Sequence, residues 1–217
     1  MISQSLMTKI RDDLDRWETP VLWMYLDSEG YVTVGCGTML PDGDSARNLP
    51  FFHEKTMQRA SPADIEAAWK QLHSGAPAQK GAAAASKFSS RHYRSQTDLR
   101  ITLAVSSSLR DRHVEADYQQ LKLIYAGFDA LPENAQLALF DMIYNVGAGH
   151  PKDRHHRATG LRRFALMNAA INKADWSAAA QYCSRHGIPD QRNQMTASLF
   201  SSCAGKAKMN EAPAHHP

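Results

Sequence analysis

Residues 18–37 read ETPVLWMYLDSEGYVTVGCG, and the period of this stretch differs from everything around it. After the turn signal Asp27-Ser28-Glu29-Gly30, Val32, Val34 and Cys36 alternate with Tyr31, Thr33 and Gly35, which predicts a β-hairpin. The valine face is expected to pack inward with Cys36 on it, so Thr33 should look out into a cleft. Glycines at 35 and 37 weaken a strand and predict that something, such as a sugar ring, approaches the backbone closely. Upstream, Ile2, Leu6, Ile10, Leu14 and Trp17 recur every three or four residues, the mark of an amphipathic helix that Pro20 must end. Downstream, Pro41 to Asp44 reads as a turn, and Ser61-Pro62 as an N-cap opening a helix through Ala68, Trp69 and Leu72.

From Gly75 the composition changes to Gly, Ala, Ser and basic residues without an apolar period, so 75–105 is expected to be a mobile linker or insertion. From about Ser106 onward the spacing is helical: Leu109 to Tyr125, Leu137 to Tyr144, Leu161 to Ile171, Asp175 to Cys183 and Pro189 to Phe200. The fold class expected is α+β and mostly helical. Residues 1–74 should form a small lobe with the first helix and hairpin, 106–205 a helical lobe, and 206–217 a fraying tail.

The chain has 217 residues, 43% hydrophobic and 22% charged, a globular composition large enough for a core without disulfide staples. Cys36, Cys183 and Cys203 are odd in number and lack CxxC spacing, so they read as small buried hydrophobes. No apolar run approaches the ~20 residues of a bilayer span, and charges stand where a signal peptide would need its apolar core. Synthesis in the cytoplasm without membrane insertion is the expectation. The net charge of +3 is uneven: residues 1–30 carry three Lys/Arg against six Asp/Glu, and 76–113 carry seven against two. Basic surface of this kind attracts polyanions, but no RNP motif, zinc finger or aromatic-interleaved basic stripe favours nucleic acid.

Two carboxylates stand out. Glu18 closes the first helix, where the macrodipole disfavours negative charge, so its carboxyl is expected to hold a proton as a general acid must; a solvated glutamate before proline is the plainer alternative. Asp27 lies at the hairpin mouth among polar groups that can stabilise it ionised, or serves only as a turn former. One proton-holding and one ionised carboxyl are the two roles that glycoside hydrolysis requires. Rival chemistry is thinner: Cys36 with His53 as base would suit a wall peptidase, and His150, Asp153, His155 and His156 lack any metal-ligand spacing and read as a solvated loop.

The segment Glu18, then Asp27 to Gly37, resembles the catalytic segment of phage-type lysozymes, the muramidases of bacteriophage endolysins, with their E-x8-D-x5-T spacing and G-x-G hairpin end. Residues 138–147, ALFDMIYNVG, are similar to that family's central helix. Asp175-Trp176 with Ala178 to Ala180, and Gly187 to Arg192 before Leu199-Phe200, are similar to its last two helices. The resemblance covers roughly 5–40 and 115–203. It implies a lysozyme-like fold with a cleft between the lobes, Glu18 as general acid, Asp27 as the carboxylate that activates or positions water or stabilises the transition state, and Thr33 holding that water. It places Tyr25, Gly35, Gly37, Thr38, Asn145 and Arg192 in substrate binding or support, with Arg192 paired to Glu18; for Arg192 a solvated first-turn arginine is an equal alternative. Thr38 departs from the histidine usual there, and the long 75–113 segment is a second departure.

The activity implied is hydrolysis of the β-1,4 bond between N-acetylmuramic acid and N-acetylglucosamine, bacteriolytic, without cofactor or metal, by a monomer. Bacterial peptidoglycan is the expected partner. A wall hydrolase made in the cytoplasm must reach the periplasm or cell wall by a holin, or by contact-dependent delivery as a type VI secretion effector toxin. An effector would have an immunity protein as inhibitor. The alternatives are a non-catalytic glycan-binding lysozyme-like protein and a wall peptidase using Cys36.

Overall fold

The computed structural model describes residues 2–75, 88–152 and 156–209, with side chains through 204. The chain is mixed α+β and mostly helical, and it divides into two compact units. One joins the N-terminal segment through Trp17 to the chain from Val114 onward; the other is Glu18–His113. The division expected from the sequence differs, since it groups the first helix with the hairpin. Leu6, Ile10 and Leu14 of α1 (Gln4–Trp17) are buried in the same apolar cluster as the C-terminal helices. Periodicity identifies a buried face but not the partner that covers it.

In the helical unit the central element is α6 (Glu133–Val146), in which every residue from Leu137 to Ile143 is buried. It packs against α1 and α9 (Asp190–Met209), while α8 (Trp176–Tyr182), capped by the Asp175 carboxylate at 3.0 Å from Ala178 N, packs on α9 and on α7 (Ala165–Asn172). A turn of 3-10 helix, Gly160–Arg163, precedes α7. Gly149 must be glycine: its φ is +69°, and a Cβ would lie 2.0 Å from the Thr159 carbonyl oxygen.

The Glu18–His113 unit carries an antiparallel sheet of β1 (Val21–Leu26), β2 (Val32–Gly35) and β3 (Thr38–Met39), in that order. Tyr25 faces Thr33, Leu26 faces Val32, and a bulge separates Val21 from Tyr25. The hairpin expected from the alternation is present, but the strand ends at Gly35 and turns back into β3, which the short Thr38-Met39 pairing hid. Cys36 therefore lies in a turn, half-buried, rather than on the valine face. Thr33 is also not turned to an open cleft: it is only 1% exposed, because β2 is the middle strand and is covered on both faces.

Around this sheet pack α2 (Gly43–Arg47) and α3 (Pro62–His73), the latter opened by a full capping box between Ser61 and Asp64. Trp69 of α3 donates its indole N–H to the Leu40 carbonyl at 2.9 Å. Residues 88–105 are not a linker. They contain α4 (Ser90–Tyr93), strand β5 (Leu99–Arg100) paired to β4 (Phe52–His53), and the start of α5 (Leu103–Ile124). Tyr93, Leu99 and Ile101 are in the core, and Ile101 N donates to the Leu22 carbonyl at 2.8 Å. Basic residues diluted the apolar signal of this stretch. Residues 76–87, the remainder of the expected insertion, and 210–217 of the expected tail lie outside the described residues, whereas α9 continues through Met209, so the tail expected to fray from residue 206 begins as helix.

Candidate active site

The hairpin mouth is built by Asp27. Its backbone N–H donates to the Tyr31 carbonyl at 3.0 Å and its own carbonyl accepts from Gly30 N at 3.1 Å, closing the turn. The side chain turns back into the same loop, where Oδ1 accepts from the backbone N–H groups of Glu29 and Tyr31, both at 2.9 Å. Oδ2 accepts from the Thr33 hydroxyl at 3.2 Å, and the same hydroxyl lies 3.1 Å from the Tyr31 carbonyl. A carboxylate offers about four lone-pair directions. Both on Oδ1 are filled and one on Oδ2 is taken, so one acceptor direction on Oδ2 is left for a ligand or water.

Glu18 follows directly on α1 and is half-buried. Burial first, then the charges of Asp27, Cys36 and Glu18, push the Tyr25 phenol up from 10.0 to about 12. Tyr25 thus stays a hydrogen-bond donor throughout neutral pH. Tyr25 faces Thr33 across the strand pair and Thr33 is bonded to Asp27, so these three residues are brought together in this unit.

The hairpin glycines have a different origin from the one expected. Gly35 has φ +68°, and a Cβ there would meet the Ser106 hydroxyl oxygen of α5 at 3.0 Å and Leu109 beyond it. It is helix packing that crowds Gly35. Gly37 has φ +88°, and a Cβ there would meet nothing within 4 Å, so glycine is required at 37 only by the left-handed turn. Thr38 pairs with Val34 at the start of β3, half-buried.

Asn145 and Arg192 belong to the helical unit, in a polar cluster that sequence reasoning missed. Arg192 is not a solvated first-turn arginine: it is 5% exposed, and its Nε donates to Asp141 Oδ1 at 2.7 Å. Arg185, with a fully buried side chain, donates to Asp141 Oδ2 at 2.7 Å, to the Thr196 hydroxyl at 2.7 Å and to Asn145 Oδ1 at 3.3 Å. Thr196 in turn donates to Asp141 Oδ2 at 2.6 Å. The available signal was Asp141 itself, a charge in the middle of an apolar helical run, which must be paired if buried.

The His53 ring is bonded to Asp98 at 3.1 Å and lies 3.6 Å from Asp64, while Cys36 Sγ is 3.8 Å from the Ser106 hydroxyl. Cys183 and Cys203 are buried, and none of the three cysteines is in a disulfide. Among the described residues no group of three or more His, Cys, Asp or Glu is placed to hold a metal ion. Of the histidine-loop cluster, Asp153 and His155 lie outside the described residues. Among those residues, too, no helix is long and apolar enough to cross a membrane. No protein-family model matches the chain, and no curated protein matches it.

Proposed function

We propose that the hairpin site of the Glu18–His113 unit is the catalytic centre of a peptidoglycan muramidase. The observation that carries this reading is the fixed Asp27 carboxylate, held by two backbone donors and the Thr33 hydroxyl with one acceptor direction left open. Glu18 protonates the glycosidic oxygen between N-acetylmuramic acid and N-acetylglucosamine as the bond to the anomeric carbon breaks. Asp27 orients a water through the open direction on Oδ2 and accepts its proton as the water oxygen attacks. Thr33, buried beneath, acts as a positioning residue for Asp27, and Tyr25 supplies a phenol that remains protonated. The same reading makes bacterial peptidoglycan the substrate, reached by holin release or contact-dependent delivery, with an immunity protein as the inhibitor in the latter case.

The test is release of soluble fragments from purified peptidoglycan by the wild type, Glu18→Gln and Cys36→Ser. Loss with Glu18→Gln and retention with Cys36→Ser is the expected pattern; the reverse pattern would assign the chemistry to the thiol. Glycan binding without release of fragments by the wild type would replace the enzyme with a binding protein.

A further inference from the structure

The Glu18–His113 unit contains a cavity of about 830 Å³ between α3, the turn that follows β4, and residues 91–100, which run from α4 into β5. Its size falls in the range of roughly 300–1,000 Å³ typical of small-ligand sites. Side chains of both charges line it. Glu54 is committed to two of the cations, pairing with Arg94 at 3.2 Å and with the buried Arg100 at 2.7 Å. The other two carboxylates lie on either side of one imidazole: His53 Nδ1 is 3.1 Å from Asp98 Oδ1, and its Nε2 is 3.6 Å from Asp64 Oδ2. A neutral ring carries one N–H and donates to only one of them. Asp64 Oδ2 also accepts from the Ser61 hydroxyl at 2.6 Å, so among the described residues Asp64 Oδ1 and one direction on each Asp98 oxygen are open to further donors.

The remaining cations of the lining are Lys55 and Arg91. Among the described residues their side chains make no ion pair and no hydrogen bond. Residues 76–87, outside the described residues, contain two lysines and no Asp or Glu, so no side chain of that segment neutralises either cation. The cavity thus offers acceptors at Asp64 and Asp98 and donors at Arg91 and Lys55. A simple anion is drawn to the cations and repelled by the aspartates, and a simple amine meets the opposite balance. A molecule that carries an ammonium and a carboxylate answers both signs, and the guanidinium fork of Arg91 suits the carboxylate as a bidentate pair. Gln71, Ser95 and Gln96, also in the lining, add amide and hydroxyl groups of the kind that bond peptide units.

We propose that this cavity binds a zwitterion of the amino-acid class, free or as a short peptide, with its carboxylate on Arg91 and its ammonium at Asp64 and Asp98. The site uses none of the hairpin residues and holds whether or not the muramidase reading does.

Isothermal titration of the full chain with glycine, triglycine, acetate and methylamine tests the proposal, alongside Arg91→Gln and Asp98→Asn. Saturable binding of glycine or triglycine is expected, at least about ten-fold tighter than acetate or methylamine and weakened about ten-fold by Arg91→Gln or Asp98→Asn. Tighter binding of triglycine than of glycine assigns a peptide; binding of glycine at least as tight assigns a free amino acid. Arg91 is exposed, so Arg91→Gln keeps the test decisive should Asp98→Asn not fold. The proposal is overturned by the absence of saturable binding of either zwitterion, by acetate or methylamine binding as tightly, or by affinity unchanged in folded Arg91→Gln.

Discussion

At the scale of single residues, Asp27 and Thr33 form a unit in which one buried hydroxyl serves a carboxylate oxygen and a backbone carbonyl. Thr33→Val keeps shape and removes the donor. On the proposed muramidase reading, peptidoglycan cleavage is expected to fall about ten-fold or more, through a lower kcat rather than a raised KM, with a stability loss of only about 1 kcal/mol; Thr33→Ser should restore most of the rate. Asp141 is the opposite case, a charge whose value is structural. Removing it leaves Arg185 and Arg192, both buried, without their shared carboxylate. Asp141→Ala is therefore expected to cost about 3–5 kcal/mol in urea unfolding. The turn role of Asp27 was legible because Asp-Ser-Glu-Gly between apolar runs has a mechanism for closing a hairpin. The burial of Thr33 was not, since a period of two separates the faces of a strand without saying whether both are covered.

At the scale of elements, the hairpin is fastened to α5 through Gly35. Gly35→Ala brings a Cβ against the Ser106 hydroxyl and forces a side chain into a left-handed backbone, so a loss of about 1–2 kcal/mol is expected by thermal unfolding. Ser106→Ala in that background should recover the steric part and leave the backbone part. Tyr25 in β1 gives the sheet an alkaline limit. Below pH 10 its phenol is protonated in both folded and unfolded chains. Between the ordinary value of 10.0 and about 12 the unfolded chain ionises first, so stability is lost as pH rises through that window, by up to about 3 kcal/mol from this residue. The difference in unfolding free energy between wild type and Tyr25→Phe should shrink across that interval; a constant difference would contradict the burial of the phenol. The helices of the C-terminal half were legible from their apolar spacing. Strand β3 and the 88–105 segment were not, because two-residue strands carry no period and scattered arginines and serines masked Tyr93, Leu99 and Ile101.

At the scale of the whole molecule, the order of elements is legible and their grouping is not: α1 joins helices that lie more than a hundred residues later, a packing choice that only tertiary contacts decide. The glutamate, aspartate and threonine of the hairpin stand out in the sequence through their spacing, whereas the Asp141 cluster needs Arg185, Arg192 and Thr196, more than forty residues on, to meet it. The proposed function rests on Glu18 and Asp27 acting on one glycosidic bond. The most direct measurement is mass spectrometry of muropeptides released from purified Gram-negative peptidoglycan by wild type and Glu18→Gln. Reducing muramic-acid ends from the wild type, absent with Glu18→Gln, are predicted; anhydro ends, free peptides, or reducing ends that persist in Glu18→Gln would contradict hydrolysis by this pair.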